Sequence, residues 1–241
     1  MRFLGLRLNC GWQIALSFTL YSQFVRAPLI IPLGSLTQLQ SLQSTLLRMA
    51  YAWSNRVKFI VRFMYDTDNN GYLDRNDFQC LAVRNTLIEG KGQWCEDRYQ
   101  KNLDIMMNLW NEISDLADFN KDGEVSVEEF KRGIEVSCKG KKYADFPKAF
   151  KFFIDSSFRT IDIDGDGCIG LEEYRFDCIK RMAYKSVEDL NTSYKKLCSE
   201  EDLKNGGISL TRYQELYSDF IGNSEADLPS SYLFGPLEVL D

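Results

Sequence analysis

Histidine is absent from this chain of 241 residues. Its absence removes the commonest general base, the commonest zinc ligand and every catalytic pair that joins histidine to serine or cysteine. The apolar stretch near the amino terminus is too short and too polar to span a bilayer, because polar side chains interrupt it at Asn9, Gln13, Ser17 and Ser22. The sequence therefore argues against catalysis that depends on histidine and against a membrane span in this amino-terminal stretch.

The cysteines form no C-x-x-C motif, and their number, seven, is odd. A disulfide framework is not expected in a chain of this length with such wide spacing. We interpret most of the thiols as reduced, partly buried, small apolar groups in a reducing compartment, with a redox or metal-thiolate role as the alternative. The cysteines are Cys10, Cys80, Cys95, Cys138, Cys168, Cys178 and Cys198.

The composition predicts a packed protein with an acidic surface. Hydrophobic residues make up 44% of the chain and aromatic residues 13%, which is enough for a sizeable core. The formal net charge is −6, so nucleic acid and anionic membranes are poor candidate partners. Because the acidic residues are concentrated in a few short runs, we expect cations as the binding partners.

Three of these acidic runs share the spacing of a calcium loop. Such a loop gathers about seven oxygen ligands, at about 2.3–2.6 Å, from side chains at positions 1, 3, 5, 9 and 12 and the backbone carbonyl of position 7. A glycine at position 6 allows the sharp turn, and an apolar residue at position 8 pairs with a second loop through a short β-bridge. A single acidic turn could arise by chance, but three complete matches favour metal binding.

The second and third loops, residues 118–129 and 162–173, match throughout and end in glutamate. In the third loop Gly170 has no side chain at position 9, so we expect water to complete that shell, and Cys168 to give its carbonyl with its thiol turned away. The predicted ligands are Asp118, Asn120, Asp122, Glu124, Ser126 and Glu129 in loop two, and Asp162, Asp164, Asp166, Cys168 and Glu173 in loop three.

The first loop, residues 66–77, closes with Asp77, which is one methylene shorter than glutamate. Its predicted ligands are Asp66, Asp68, Asn70, Tyr72, Asp74 and Asp77. The shorter side chain reaches a cation less readily with both oxygens, and six-fold coordination suits Mg²⁺ better than Ca²⁺. We therefore expect Mg²⁺ to compete at this loop.

A fourth unit, residues 201–212, keeps the turn glycine Gly206 and the apolar residue Ile208 but lacks the oxygen ligands of positions 3 and 12. Leu203 occupies position 3, and Arg212 places a cation where the closing carboxylate belongs. We expect this loop to be free of metal and to serve as a structural partner of loop three. With apolar residues at helical spacing around the loops, the sequence predicts an all-α fold of four EF-hand helix-loop-helix units in two packed pairs, with short β-bridges between paired loops.

The sequence also resembles the invertebrate sarcoplasmic calcium-binding proteins over about residues 49–241. The resemblance lies in "MAYAWSNRVKFIVRFMYDTDNNGYLDRNDF" (49–78), "LWNEISDLADFNKDGEV" (109–125), "GGISLTRYQELYSDFI" (206–221) and "YLFGPLEV" (232–239). It implies four EF-hands, three occupied sites, no enzymatic activity, and a cytosolic buffer of muscle or neurons that exchanges Mg²⁺ for Ca²⁺.

The sequence divides the chain into four predicted segments. Residues 1–48 are an amino-terminal extension, read as signal-like, disordered or a non-native start; 49–140 and 141–224 hold the first and second EF-hand pairs; and 225–241 form a tail packing on the core. Val25-Arg26-Ala27 loosely resembles a signal-peptidase site. We expect a location in the cytoplasm, and secretion only if residues 1–27 act as a signal peptide.

The sequence favours a calcium buffer over a sensor. A sensor exposes a flexible, methionine-rich groove to a target helix, whereas this chain has six methionines and abundant rigid aromatics. The tail carries Tyr232, Leu233, Phe234 and Leu237, which we expect to plug an internal groove. We predict a high-affinity Ca²⁺ buffer without an obligate protein target, with a homodimer left open. The alternative is a Ca²⁺-dependent regulator with a protein target.

Overall fold

Each predicted loop lies between two helices in a computed structural model of the chain. The structure describes residues 41, 42, 44–46, 48–181, 186–226 and 228–240. The prediction for the extension 1–48 therefore lies outside the described residues, apart from the few just named. Ser44–Asp241 forms one compact unit. Among the described residues, no helix combines the length and the apolar character needed to cross a membrane.

The elements alternate between helices and two-residue strands. In chain order they are α1 Trp53–Ile60, a π-helical segment Val61–Tyr65, β1 Tyr72–Leu73, α2 Arg75–Glu89, α3 Glu96–Ala117, β2 Val125–Ser126, α4 Val127–Ser137, a 3₁₀ turn Tyr143–Asp145, α5 Lys148–Ile161, β3 Cys168–Ile169, α6 Leu171–Lys180, α7 Val187–Leu197, α8 Glu200–Lys204, β4 Ile208–Ser209, α9 Leu210–Gly222 and a 3₁₀ turn Pro229–Tyr232. Residues 44–46 and 48–50 are helical as well.

Loop residues also start the helices that follow them. The Asp74 side chain accepts hydrogen bonds from the backbone of Asn76 and Asp77 at the start of α2, and Ser126 accepts from Glu129 N at the start of α4. A side-chain oxygen at this position satisfies backbone donors that have no partner within the helix. Position 9 of these loops therefore serves both the loop and its exit helix.

The loops are joined in pairs by antiparallel strands. Leu73 of β1 lies opposite Val125 of β2, and Ile169 of β3 lies opposite Ile208 of β4. All four of these apolar side chains are buried. The predicted β-bridges, the pairing of loop one with loop two and of loop three with loop four, and the all-α fold of four helix-loop-helix units are confirmed.

Aromatic rings fill the space between the helices. Tyr65, at the end of the π-helical segment, contacts Phe78, Phe130 and Phe153, with ring centroids 5.5, 6.1 and 5.5 Å away. Its ring is fully buried. Because Tyr65 directly precedes loop one and Phe130 directly follows loop two, this cluster fixes the helices that enter and leave the first loop pair.

The end of the chain packs into the same core. Phe234 is 0% exposed and contacts the rings of Phe59, Tyr217 and Phe220, at centroid distances of 6.2, 5.6 and 4.9 Å. Leu233 and Leu237 are buried beside it. The carboxyl-terminal tail thereby occupies the space between α1 and α9 as part of the core.

Polar groups of α1 also depend on the end of the chain. The indole of Trp53 donates to Ile221 O at 2.7 Å, and the buried guanidinium of Arg56 donates to the carbonyls of Asp219 and Glu225 at 3.3 and 2.9 Å. These carbonyls lie at or beyond the last turn of α9, where helical acceptors lack partners within the helix. Side chains of α1 therefore donate hydrogen bonds to backbone carbonyls in the last turn of α9 and just beyond it.

A buried ion cluster follows loop three. Asp177 of α6 pairs with Arg181 and with Lys180, the latter at 2.6 Å. Burial acts to raise the pKa of Asp177, but the two cations outweigh it and hold the pKa below its usual value. Arg181 also lies over the ring of Phe234, 4.8 Å from its centroid. The exit helix of loop three is thus tied to the tail.

The described cysteines are all free thiols. Burial raises the pKa of Cys138 to about 11 and that of Cys178 to about 12, so both are protonated near neutral pH and poorly reactive. Cys80 is exposed, and the prediction for Cys10 lies outside the described residues.

Candidate metal sites

The three acidic loops share one backbone shape, which is set by two left-handed residues. At position 6 each has a glycine, whose missing side chain makes a positive φ inexpensive. At position 4 the residue is also left-handed, which is uncommon outside glycine but tolerated by asparagine. These pairs are Asn69 (φ 59°) and Gly71 (90°), Lys121 (60°) and Gly123 (86°), and Gly165 (77°) and Gly167 (87°).

The first aspartate of each loop receives a hydrogen bond from the turn glycine. Gly71 N donates to Asp66 at 3.0 Å and Gly123 N donates to Asp118 at 3.1 Å, in each case to Oδ2. The other oxygen, Oδ1, is buried in both aspartates and has no hydrogen-bond partner in the described part of the chain. Burial raises the pKa of Asp66. A buried carboxylate oxygen without a donor is costly, and a bound cation would satisfy it.

Carboxylates converge in loops one and three. Oxygen atoms of Asp66, Asp68 and Asp77 all lie within 4.8 Å of one another, and so do those of Asp162, Asp164 and Asp166. No other group of three acidic or cysteine side chains in the described residues comes so close together. Both groups present only carboxylate oxygens, which are the donors that hard divalent cations prefer.

Loop two brings its side chains together through an amide. Asn120 Nδ2 donates to Asp122 Oδ2 at 2.7 Å, and Asp122 N donates to Asn120 Oδ1 at 3.0 Å. This loop has two carboxylates among positions 1, 3 and 5, whereas loop three has three, so the side chains at these positions repel one another less than in loop three. Its Asp118 and Glu129 stand at the first and last ligand positions.

The carbonyl expected at position 7 is oriented by the side chain at position 5. Asn70 accepts from Tyr72 N at 2.8 Å, Asp122 accepts from Glu124 N at 2.9 Å, and Asp166 accepts from Cys168 N at 2.8 Å. Because each amide is held in this way, the next carbonyl has a defined direction in all three loops. The thiol of Cys168 lies 3.7 Å from the carbonyl oxygen of Asn205 in loop four.

The closing acids are held in place by backbone amides. Asp77 Oδ2 accepts from Asp74 N at 3.0 Å, Glu129 Oε2 from Ser126 N at 3.0 Å, and Glu173 Oε2 from Gly170 N at 3.0 Å. In loops one and three the other carboxylate oxygen accepts a hydrogen bond from the start of the same loop: Thr67 N donates to Asp77 Oδ1 at 2.8 Å, and Ile163 N donates to Glu173 Oε1 at 2.6 Å. The two ends of these loops are therefore linked through the closing carboxylate.

The fourth loop has a different backbone over its first half. Residues Glu200–Lys204 form helix α8, where Ser199 and Asp202 make a capping box. Arg212 at position 12 pairs with Asp202 at 3.4 Å and with Glu215 at 3.2 Å. The turn glycine Gly206 keeps its left-handed φ of 94°. This loop holds a cation and a helical turn where the other loops hold oxygen ligands.

The donors in loops one to three fit a calcium or magnesium ion. They are carboxylate, amide, hydroxyl and carbonyl oxygens, and two of the first-position aspartates keep a buried oxygen without a donor. Such loops, each between two helices and paired through a short strand, define an EF-hand calcium-binding protein. A family model described as "EF-hand domain pair" matches residues 63–135, and one described as "EF hand" matches residues 153–178.

The chain belongs to the family of sarcoplasmic calcium-binding proteins. It is 60% identical to the beta chain of a sarcoplasmic calcium-binding protein from Penaeus sp. over 78% of this chain and 98% of that protein. It is 59% identical to an alpha chain from Penaeus vannamei over 80% of this chain and all of that protein. The names of these relatives describe calcium binding and no enzymatic reaction, in agreement with the expectation of a non-enzymatic protein.

Solved structures support the fold. A sarcoplasmic calcium-binding protein from amphioxus aligns with a TM-score of 0.64 at 26% identity, over 76% of this chain and 96% of that one. Calcium-loaded apo-aequorin from Aequorea victoria aligns with a TM-score of 0.54 at 17% identity, over 70% of this chain and 90% of that one, and shows a shared fold only.

Sequence reasoning missed the role of Thr67. Its hydroxyl donates to Asp77 Oδ1 at 2.8 Å, so a residue outside the ligand positions contacts the closing acid of loop one. A comparison of position 2 across the loops would have revealed it, since Phe119 and Ile163 occupy that position in loops two and three.

Proposed function

We propose that this protein is a calcium buffer with three metal sites, in which Ca²⁺ and Mg²⁺ compete. Loop one would hold an ion through Asp66, Asp68, Asn70, Tyr72, Asp74 and Asp77. Loop two would use Asp118, Asn120, Asp122, Glu124, Ser126 and Glu129, and loop three Asp162, Asp164, Asp166, Cys168 and Glu173. A bound ion supplies positive charge that offsets the mutual repulsion of these carboxylates.

The filled core is the observation that carries the buffer function. A sensor needs a groove that opens and accepts a helix from a target, usually lined by flexible side chains. In this chain Phe234 of the tail lies between Phe59 of α1 and Phe220 of α9, and its ring is fully buried. Because the chain supplies its own apolar group to this space, a target helix would have to displace the tail.

The ion cluster after loop three supports the same function. Arg181 contacts both the buried Asp177 and the ring of Phe234. Opening this region would take the ring of Phe234 away from Arg181, and a cation–π contact of this kind is worth about 0.5–2 kcal/mol. The cost favours a protein that stays closed when its loops fill.

The negative net charge of the chain supports the proposal that it binds cations. Three divalent ions would offset the formal net charge of −6. Buffer-type EF-hands have dissociation constants of about 10⁻⁹–10⁻⁸ M, whereas sensors lie at about 10⁻⁷–10⁻⁵ M. We expect this protein in the first range.

Loop one is the proposed site of strongest Mg²⁺ competition. Asp77 is 1% exposed, and both of its oxygens already accept hydrogen bonds from the loop. A side chain held in this way has less freedom to offer two oxygens to one ion, which suits the six ligands of Mg²⁺. Asp77→Glu should therefore raise the preference of this loop for Ca²⁺ over Mg²⁺.

Calorimetric titration with Ca²⁺, in the presence and absence of millimolar Mg²⁺, tests the sites. We expect three binding events per chain, and weaker apparent Ca²⁺ affinity when Mg²⁺ is present. Fewer events, or isotherms that Mg²⁺ leaves unchanged, would contradict the proposal.

Retention on a hydrophobic resin distinguishes the buffer from a sensor. We expect equal retention with Ca²⁺ and with a chelator plus Mg²⁺, because the tail keeps the apolar groove covered. Retention that appears only with Ca²⁺ would instead favour a regulator with a protein target.

The location and organisation are proposed from the family and the loop pairing. The names of the relatives place them in the sarcoplasm, and we propose the same compartment for this chain. We also propose that residues 49–140 and 141–224 act as two EF-hand pairs, with 225–241 as a tail on their shared core.

A further inference from the structure

Loop one differs from loops two and three at its second residue. Thr67 occupies this position, where loops two and three have Phe119 and Ile163. The side chains of phenylalanine and isoleucine carry no hydrogen-bond donor, whereas threonine has a hydroxyl. Thr67 is half-buried, between two of the aspartates that converge in loop one.

Thr67 makes two hydrogen bonds to one oxygen of the closing acid. Its backbone amide and its hydroxyl both donate to Asp77 Oδ1 at 2.8 Å. A carboxylate oxygen has about two lone-pair positions, so Oδ1 is fully occupied by this residue alone. Oδ2 accepts from Asp74 N at 3.0 Å and retains a free lone pair.

Loop three holds its closing acid with backbone donors only. Glu173 Oε1 accepts from the amides of Ile163 and Asp164, at 2.6 and 3.3 Å. Loop two also has a hydroxyl donor, since Ser126 Oγ donates to Glu129 Oε2 at 2.7 Å, but its closing acid is glutamate. Among the three loops, loop one combines a hydroxyl donor with a closing side chain that is one methylene shorter. The two features act in the same direction, because both limit how Asp77 can present a second oxygen.

We propose that Thr67 determines the ion specificity of loop one. By occupying Oδ1, its hydroxyl restricts Asp77 to one free oxygen and favours six-coordinate Mg²⁺ over Ca²⁺, which takes more ligands. This inference rests on the proposed function, in which Mg²⁺ competes at loop one. It adds a positioning residue outside the ligand set.

The test compares Thr67→Val with Thr67→Ser in the full chain. Valine keeps the branched shape and the backbone donor but loses the hydroxyl, whereas serine keeps the hydroxyl. The amide resonances of Gly71, Gly123 and Gly167 report the three loops separately, since each donates to the first aspartate of its own loop. Titrations with Ca²⁺ and with Mg²⁺, using a chelator as competitor, then give both dissociation constants for loop one.

We expect Thr67→Val to shift the preference of loop one toward Ca²⁺ by about five-fold, which is the effect of one hydrogen bond. Thr67→Ser should keep the wild-type ratio, and loops two and three should be unchanged in both variants. An unchanged ratio in Thr67→Val, or equal weakening of both ions, would overturn the inference.

The wild-type titration separates this inference from the proposed function. If loop one of the wild type favours Mg²⁺ no more than loops two and three, the proposed competition at loop one fails, and the inference fails with it. If loop one does favour Mg²⁺ and Thr67→Val leaves that preference intact, only the role of Thr67 fails.

Discussion

Loops three and four share a strand pair but differ in their first halves. In both, the residue at position 6 is a left-handed glycine, Gly167 (φ 87°) in one and Gly206 (94°) in the other. At position 4 the third loop has the left-handed Gly165, whereas Lys204 of the fourth belongs to helix α8. The glycine turn and the strand can therefore persist without the backbone that gathers ligands.

The difference shows that an EF-hand loop has two separable parts. The second half of each loop makes the turn, the strand and the start of the exit helix, and this part is retained in loop four through Ile208 and Ser209. The first half presents the oxygens. Loop four has replaced that function with an ion pair between Arg212 and Asp202. Its remaining role is to complete the sheet of loop three.

The largest expected effect comes from the closing acid of loop three. Glu173→Gln removes a charge and should reduce the stoichiometry by one ion per chain. We expect the affinity of that loop to fall more than about 100-fold, since even an outer-shell partner is worth about 10–100-fold. Calorimetry measures both quantities. Glu172→Gln is the matched control, because Glu172 is exposed and pairs with Arg175; equal loss in both variants would contradict the assignment.

A second prediction concerns the contact between the two loops. A Cβ atom at Gly207 would lie 2.3 Å from Ile169 O, so Gly207→Ala must displace β4 from β3. We expect a loss of about 2–3 kcal/mol in the free energy of unfolding without metal, together with weaker binding at loop three. Denaturant titration measures the first effect.

Gly206→Ala is the control for this contact. Gly206 has no heavy atom within 4 Å of the position of an added Cβ, but its φ is left-handed. Its cost should be about 1 kcal/mol from backbone conformation alone. If both variants lose the same stability, steric separation of the strands is not the cause.

A smaller effect is expected at the ion pair of loop four. Arg212→Ala removes a partner of Asp202, but Asp202 still accepts from the amide and the hydroxyl of Ser199, both at 2.8 Å. Since the arginine is partly exposed, we expect a loss of about 0.5–1 kcal/mol. Thermal unfolding measures it, with the exposed Lys195→Ala as a control for general loss of positive charge. A loss of several kcal/mol would mean that Arg212 holds loop four together.

The smallest effect is expected from an attempt to restore the lost site. Leu203→Asp combined with Arg212→Glu supplies oxygens at positions 3 and 12, yet we expect no additional ion in a calorimetric titration. Residues 200–204 would still lie in α8, and its capping box holds the backbone in a helix. A new binding event would show that ligand chemistry alone separates the two loops.

Local spacing predicts the position and pairing of the loops well because their backbone geometry is local. The twelve-residue pattern places Leu73 opposite Val125 and Ile169 opposite Ile208 without any knowledge of distant contacts. The same pattern hid helix α8, because Ser199 and Asp202 also form a helix-start signal that overlaps loop four. In that segment the local helix preference prevailed where oxygen ligands were missing.

Other features depend on contacts that the spacing of residues in the sequence does not predict. Asp177 and Arg181 are four residues apart on one helix, which predicts a pair but not its burial beneath the tail. The hydroxyl of Thr67 meets Asp77 only when the two ends of the loop approach each other. Such features require the folded arrangement of the elements.

The contacts between α1 and the end of the chain bear on how the protein is made. Asn55 donates to the carbonyl of Glu238 at 2.7 Å, and Trp53 and Arg56 donate to carbonyls at the end of α9 and just beyond it. These acceptors lie 168, 169 and 183 residues after their donors in the chain. Because a chain is synthesised from its amino terminus, α1 cannot form these native contacts until the residues that carry the acceptors have been made.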